Sequence, residues 1–417
     1  MNKRLLVVIS TLVIASVLLA ACGGGATPTA AFTPPADALG VVTIPPGEPI
    51  HFAYWGVLSG ADATLGEDSK RGVEIAVDDR GGKLLGRDIR LTTEDGLCTP
   101  EGGATAAQKL AADTTLVGLI GSSCSDETVG GIKTLTDAGL TTISPSNTRP
   151  ALTFPDRDAT FAGYLRTAHS DAFQGKAVAE FVYNELKLTT AATIHDGSAY
   201  AEALQQVFVD EFKKLGGTVT VQEAVSKGST DMKPVLTAIA ATNPQVIYYP
   251  IFVAEGGFIT AQAAEVPGLE NVAKIGSDGM FSADMLKGAG PAAEGMYLSS
   301  PDFTAFQAGY QDFLAKHTAK YGGAPLSVFH AHAYDATNIL FNAIEKVAVT
   351  GPDGTIYVPK KALRDAIYAT KDHQGLTGTL SCGQYGDCGA PIIAVYQVTA
   401  ENVANLSLPT KPVWPQR

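Results

Sequence analysis

A chain of 417 residues with 45% hydrophobic side chains is long enough to bury two cores, and its formal net charge of −12 argues against nucleic acid or anionic lipid as a partner. Loss of Lys3 and Arg4 with a leader takes the charge to −14 (−12 minus 2), although a local pocket can still oppose the global sign.

The chain opens with Lys3 and Arg4, an uncharged run from Leu5 to Ala21, and the sequence Leu19-Ala20-Ala21-Cys22. A basic start, an apolar stretch and small residues before a cysteine are the pattern of a lipoprotein signal peptide over residues 1–21, cleaved ahead of Cys22. The run sits at the short end of the roughly 17–25 residues a membrane span needs and lacks a charged stop-transfer flank, which disfavours a retained helix. Cys22 is then the expected lipidation site. Lipid is the expected sole membrane contact, since no later stretch approaches transmembrane length. Residues 22–48 are rich in Gly, Ala, Thr and Pro and poor in large apolar groups, which predicts a flexible tether.

With Cys22 set aside from the five cysteines, Cys98, Cys124, Cys382 and Cys388 remain. An oxidising compartment would let them pair, and sequence order favours Cys98 with Cys124 and Cys382 with Cys388. A metal site is the weaker reading, because the spacings form no paired C-x-x-C knuckles and no histidine is close in sequence.

From residue 49 short β-rich runs alternate with segments of helical period. Strands are predicted at His51–Leu58, Ile89–Thr93, Leu116–Ile120, Thr141–Ser144, Ala191–Ile194, Thr218–Gln222, Val246–Tyr249 and Val272–Ile275. Helices are predicted at Gly66–Asp79, Glu101–Ala112, Glu127–Ala138, Gln174–Leu186, Ala199–Leu215 and Asp231–Ala241. Repeated strand-helix units imply an α/β fold with parallel sheets covered on both faces. The series resets after a loop-rich stretch at Ala151–Ser170, so two Rossmann-like lobes are expected. Later come helices at Phe303–Tyr321, Ser327–Val347 and Lys360–Thr370 and a strand at Ile392–Val398. A chain that crosses back between lobes makes a multi-strand hinge. The predicted division is 49–167 with 299–376 as the first lobe, 168–298 with 377–405 as the second, and 406–417 as a tail.

Ligands of open α/β sheets lie beyond the carboxyl ends of strands. Gly121-Ser122-Ser123-Cys124-Ser125-Asp126 and Ser144-Pro145-Ser146-Asn147-Thr148 each leave a strand with short hydroxyls and free N–H groups that suit a carboxylate, though Ser and Asp also cap helices. Asp278, in Ile275-Gly-Ser-Asp-Gly279, suits an ammonium or forms a turn. Tyr200, Phe252 and Phe329 offer apolar wall, although single aromatics more often belong to a core. No G-x-S-x-G, Walker A, H-E-x-x-H or calcium loop is present. His330 and His332, two apart, point to different helix faces, so neither an enzyme nor a metal site is expected.

In this order the motifs resemble the type I periplasmic binding proteins of ABC importers, in the leucine/isoleucine/valine-binding branch. The resemblance runs from about His51 to Val398. It rests on Gly56-Val-Leu-Ser-Gly60, Arg71-Gly72-Val73, the distant Cys98 and Cys124, Ile143-Ser-Pro-Ser-Asn-Thr148 and Ile194-His-Asp196 with Tyr200. Tyr248-Tyr249, Gly276-Ser-Asp-Gly279, Ala293-Glu-Gly295 and Tyr334-Asp335 complete it. The resemblance implies two lobes closing on one free amino acid, no cofactor, delivery to ABC permease subunits and a monomer at the outer face of the cytoplasmic membrane. It places the ligand carboxylate on Ser125 and Thr148, the amine on the Ser146 carbonyl and Asp278, and the side chain against Tyr200, Phe252 and Phe329. Leu65 stands where some branched-chain binders have tyrosine, Phe252 replaces a tyrosine and Asn147 a small residue. Asn147 is expected to narrow the pocket or add a polar contact, and Trp55 to add bulk near the cleft. Relatives of this fold also take short amides, urea or aromatic acids, and a lipid-anchored sensor for a membrane receptor is a further alternative.

Overall fold

The computed structural model describes residues 32–415, so the expected leader over 1–21 and the lipidation site Cys22 lie outside the described residues. In chain order the strands are β1 (Val41–Ile44), β2 (Ile50–Gly56), β3 (Lys83–Leu84), β4 (Arg87–Asp95), β5 (Leu116–Gly121), β6 (Thr142–Ser144), β7 (Tyr164–Arg166), β8 (Thr190–His195), β9 (Thr218–Ala224), β10 (Val246–Tyr248), β11 (Ala273–Gly276), β12 (Tyr297–Pro301), β13 (Val349–Thr350), β14 (Ile356–Pro359), β15 (His373–Gly375), β16 (Gly378–Leu380), β17 (Ile393–Gln397) and β18 (Pro412–Trp414). The helices are α1 (Ala63–Asp79), α2 (Pro100–Ala112), α3 (Ser125–Asp137), α4 (Asp171–Glu180), α5 (Ala199–Lys214), α6 (Lys233–Ala240), α7 (Val253–Ala263), α8 (Ala283–Ala289), α9 (Gly309–Tyr321), α10 (His330–Val347), α11 (Lys360–Tyr368) and α12 (Ala400–Asn405).

Two sheets organise the two lobes of an α/β fold. The first has the order β3-β4-β2-β5-β6-β7, parallel except for β3. The second has the order β18-β17-β12-β11-β10-β8-β9, parallel from β12 to β9, with β17 and β18 antiparallel at its edge. Strand β2 shows why the parallel strands read as apolar runs. Every one of its residues is buried, with Phe52 and Tyr54 packing toward α1 and α10 and Ala53 and Trp55 toward α2 and α3. In each sheet the chain turns back past its first strand, between β2 and β5 in one and between β8 and β10 in the other, creating two switch points whose carboxyl ends can carry a ligand.

The chain crosses between the lobes three times: after β7, between β12 and α9, and between Cys388 and β17. The last two crossings are tied by Asp302 N–H donating to the Ile392 carbonyl at 3.0 Å. Disulfides join Cys98 to Cys124 and Cys382 to Cys388. No helix among the described residues is long and apolar enough to cross a membrane.

Several elements differ from expectation. Part of the predicted tether is structured: β1 pairs antiparallel with β14, burying Val42 and Ile44 against Ile356 and Val358, while Asp37 accepts from the Lys361 and Ala362 N–H groups at the start of α11. The alternation in Val41-Val-Thr-Ile44 is only four residues long and flanked by Gly and Pro, so it was masked by composition. Likewise Pro412–Trp414, within the expected tail, pairs with β17. Strand β12 belongs to the second sheet, and Cys382 and Cys388 pack in the first lobe's core, so 299–301 and 382–388 lie in the opposite lobes from those predicted. Helix α9 starts at Gly309, because residues 302–308 carry a crossing.

Candidate functional site

The first-lobe switch point is built by backbone. Strand β5 ends at Gly121 with φ +134°, where a Cβ would sit on the Trp55 carbonyl oxygen, so only glycine allows the chain to leave the sheet this close to β2. Ser122-Ser123-Cys124 then feeds α3, with Ser125 as its first residue. The fully buried Glu127 reaches back to fix this loop, accepting N–H bonds from Ser123 (3.0 Å), Cys124 (2.9 Å) and Cys98 (3.0 Å). Burial pushes its carboxyl up to about 7, against the pull of these three donors. The Cys98–Cys124 bridge holds the same turn covalently.

A second support lies under Thr148. The buried guanidinium of Arg166 pairs through Nε with the Asp387 carboxylate and donates to the carbonyls of Asn147 (3.3 Å) and Arg149 (2.8 Å), on either side of Thr148. Asp387 sits in the turn closed by Cys382–Cys388, which links that clamp mechanically to the site. Ser146 Oγ donates to the Ser123 carbonyl at 2.8 Å, stitching the two loops together.

The facing wall carries charge. Asp278 Oδ1 accepts from Tyr200 Oη at 2.9 Å and from Gln174 Nε2 at 2.7 Å, and the Tyr200 hydroxyl also lies 2.6 Å from Ser277 Oγ. Asp171, at the start of α4, is completely buried, and neither of its carboxylate oxygens reaches a hydrogen-bond partner among the described residues. Thr148 Oγ1 lies near enough to favour the Asp171 carboxylate, yet neither group attains full hydrogen-bond geometry. Burial, followed by the neighbouring charge of Asp278, holds the Asp171 carboxyl well above the usual range. Burial and the same two carboxylates push the Tyr200 and Tyr248 hydroxyls upward, so both stay neutral donors; the Tyr248 hydroxyl lies near Ser299 without attaining full hydrogen-bond geometry.

Between the walls is a narrow cavity. Leu65, Ser125, Ser146, Tyr200, Phe252, Asp278 and Phe329 line it together with Ser123, Cys124 and Gly279. Thr148 lies beside Asp171 rather than on the lining. The structure corrects two expectations. Asn147 points into the first lobe, its amide donating to the Ser122 carbonyl at 3.1 Å and its oxygen accepting from Thr128 at 2.6 Å, so it neither narrows the cavity nor offers a free contact. Trp55 lies on the α2–α3 face of β2 with its indole N–H on Thr142 Oγ1 at 3.1 Å, part of the core. The sequence reading missed Asp171, Gln174, Ser277 and Glu127. Ser170-Asp171 reads as an ordinary helix cap, a role Ser170 does fill, which hides the carboxylate beside it. His330 is spoken for by Asp68 and Tyr310, and among the described residues no group of three or more His, Cys, Asp or Glu is arranged to hold a metal.

Hydroxyl donors on one wall and the Asp278 carboxylate on the other are features of a binding cleft. Comparison with known proteins agrees. The chain is 26% identical over 345 residues to a Leu/Ile/Val-binding protein homolog of Brucella melitensis, covering 82% of this chain and 89% of that one. It is 29% identical over 259 residues to the Leu/Ile/Val-binding protein of Escherichia coli K12, covering 61% and 68%. In fold it is similar to the leucine-binding protein LivK of Thermotoga maritima, with a TM-score of 0.74 at 22% identity over 84% of this chain and 96% of that one. LivJ of Streptococcus pneumoniae in complex with isoleucine matches at TM-score 0.74 and 24% identity, over 85% and 97%. The model of the periplasmic binding protein family matches residues 49–400, and the chain belongs to that family.

Proposed function

We propose that this chain captures a free amino acid with a branched aliphatic side chain and delivers it to the permease of an ABC importer. As a periplasmic binding protein it is a binder and not an enzyme. The reading adds that it works as a monomer on the outer face of the cytoplasmic membrane, held there by lipid on Cys22. The observation that carries the ligand assignment is the polarity of the cavity. The first wall offers Ser125 and the N-terminus of α3 to a carboxylate, while Thr148 stands off the lining beside Asp171. The second offers Asp278 to an ammonium. A zwitterion satisfies both walls at once, and Leu65, Phe252 and Phe329 give an apolar lining for its side chain. Relatives named for leucine, isoleucine and valine support the aliphatic choice.

An aromatic acid would leave the buried Asp278 without the cation that a zwitterion supplies, which is costly. A short amide or urea would leave the hydroxyls of the first wall without an anion. The test is calorimetric titration of the full chain in detergent with L-leucine, L-isoleucine, L-valine, 4-methylpentanoate and benzoate. Binding of the amino acids at least about a hundredfold tighter than either acid is expected. Equal binding of 4-methylpentanoate would overturn the assignment. For the anchor, Cys22→Ala should move the protein from the membrane to the soluble fraction.

A further inference from the structure

Outside the cavity, three charged side chains cross the mouth of the cleft. Asp126, one residue beyond Ser125, sends both carboxylate oxygens to the Ala199 N–H at 3.1 Å each, so an acid of the first lobe caps the N-terminus of α5 in the second. Asp62, preceding α1, lies close enough to the Val253 N–H at the start of α7 to be favoured by it, although its Oδ1 reaches no hydrogen-bond partner among the described residues. Lys227, in the loop after β9 of the second lobe, reaches back across. Its Nζ donates to the Cys98 carbonyl at 3.0 Å, lies 3.5 Å from Asp62 Oδ2 and stands 5.3 Å from the centre of the Phe252 ring. Helix N-termini attract anions, and an ammonium over an aromatic face is favourable, so each contact is attractive only while the lobes are together.

None of the three lines the cavity. Phe252, Cys124 and Ser125 do, and each touches or adjoins one of them. We propose that Lys227, with Asp62 and Asp126, forms a latch across the cleft mouth that sets how long a bound solute is held, without contacting the solute. Asp196, Glu255 and Arg149 also face this cluster. The Asp196 charge works against both first-lobe acids, and Arg149 favours Asp126. Lys227 therefore does more than join one pair: it offsets the mutual repulsion of Asp62 and Asp196 at the point where the lobes meet. Asp62 and Asp126 are held above the usual carboxylate range by burial, so the latch acids gain from exposure to water and Lys227 opposes that gain.

Lys227 is a positioning residue, and its removal should act on release rather than capture. In Lys227→Met, stopped-flow displacement of L-leucine from the full chain in detergent should show dissociation about tenfold faster with association changed less than about twofold. Lys227→Arg should restore most of the residence time, and the melting temperature of the unliganded protein should be unchanged. A measurement without ligand runs in parallel: amide exchange around Ala199 and Val253 should quicken in Lys227→Met and in Asp126→Ala. The latch is overturned if dissociation and exchange both match the native protein, or if association and dissociation change equally. Absence of L-leucine binding to the native chain would instead count against the amino-acid reading, and the exchange experiment would still decide the latch.

Discussion

The first-lobe wall and the second-lobe wall of the cavity differ in what they exchange with a ligand. On the first, Ser125, Thr148 and the α3 N-terminus are neutral donors, and their supports are internal: Glu127 under the serine loop and Arg166 under the threonine loop. On the second, Asp278 faces inward and is satisfied by Tyr200 and Gln174, while Asp171 is buried off the lining with no hydrogen-bond partner for its carboxyl among the described residues. Each wall carries a buried polar group without a full partner, Thr148 Oγ1 on the first and the Asp171 carboxyl on the second, but only the second has acids that a cation would favour. This difference predicts that mutations on the second wall change affinity steeply and can stabilise the empty protein, whereas those on the first change affinity mildly and lower stability.

The largest effect is expected at Asp278. In Asp278→Asn the ammonium loses its ionic partner, and amino-acid affinity should fall on the order of 10²–10³-fold in calorimetry while 4-methylpentanoate is spared. Equal losses for both ligands would remove Asp278 from that role.

Asp171→Asn should cost about tenfold in amino-acid affinity yet raise the melting temperature of the empty protein, because a buried, unpartnered carboxyl is removed. The sign of the pH effect follows from its raised folded pKa. The empty protein is favoured below the unfolded carboxyl value and loses that advantage as pH rises through the folded one. A bound ammonium favours the charged form, so the thermal shift produced by L-leucine should grow with pH in the native chain and stay flat in Asp171→Asn.

Glu127→Gln tests the first wall from behind. It swaps one acceptor oxygen for a donor facing backbone N–H groups, and should cost about 1–3 kcal/mol of stability. With its carboxyl raised from 4.5 to about 7, native Glu127 contributes stability below pH 4.5 that fades as pH climbs through about 7. The variant should lack that slope in denaturant titrations across the same window. The smallest effect belongs to Ser125→Ala, one neutral hydroxyl, with a loss of about fivefold in affinity.

The two walls were also unequally legible in the sequence. Ser125, Ser146 and Asp278 could be proposed because strand exits into helices announce where donors and acids gather. Asp171 could not, because the local pattern of Ser170-Asp171 is fully explained by capping, and its partnerless burial exists only once α4 packs against the cavity. Trp55 and Asn147 failed for a different reason. Proximity to the switch point was correct, but the face a side chain takes depends on strand register and on competing partners such as Thr142 and Ser122. The alternating sheets, the two lobes and both disulfide pairings followed from period and spacing, whereas β1 and β18 did not, since edge strands of three or four residues draw their stability from the neighbour they pair with.

Three chain crossings leave the lobes few ways to move relative to each other: they can swing, but sliding or twisting would stretch at least one crossing. A cavity at the end of that swing works as a protractor. If the cleft closes on a solute as proposed, a longer or bulkier one would stop the swing at a wider angle, and its size would be reported on the outside of the molecule as a difference in angle.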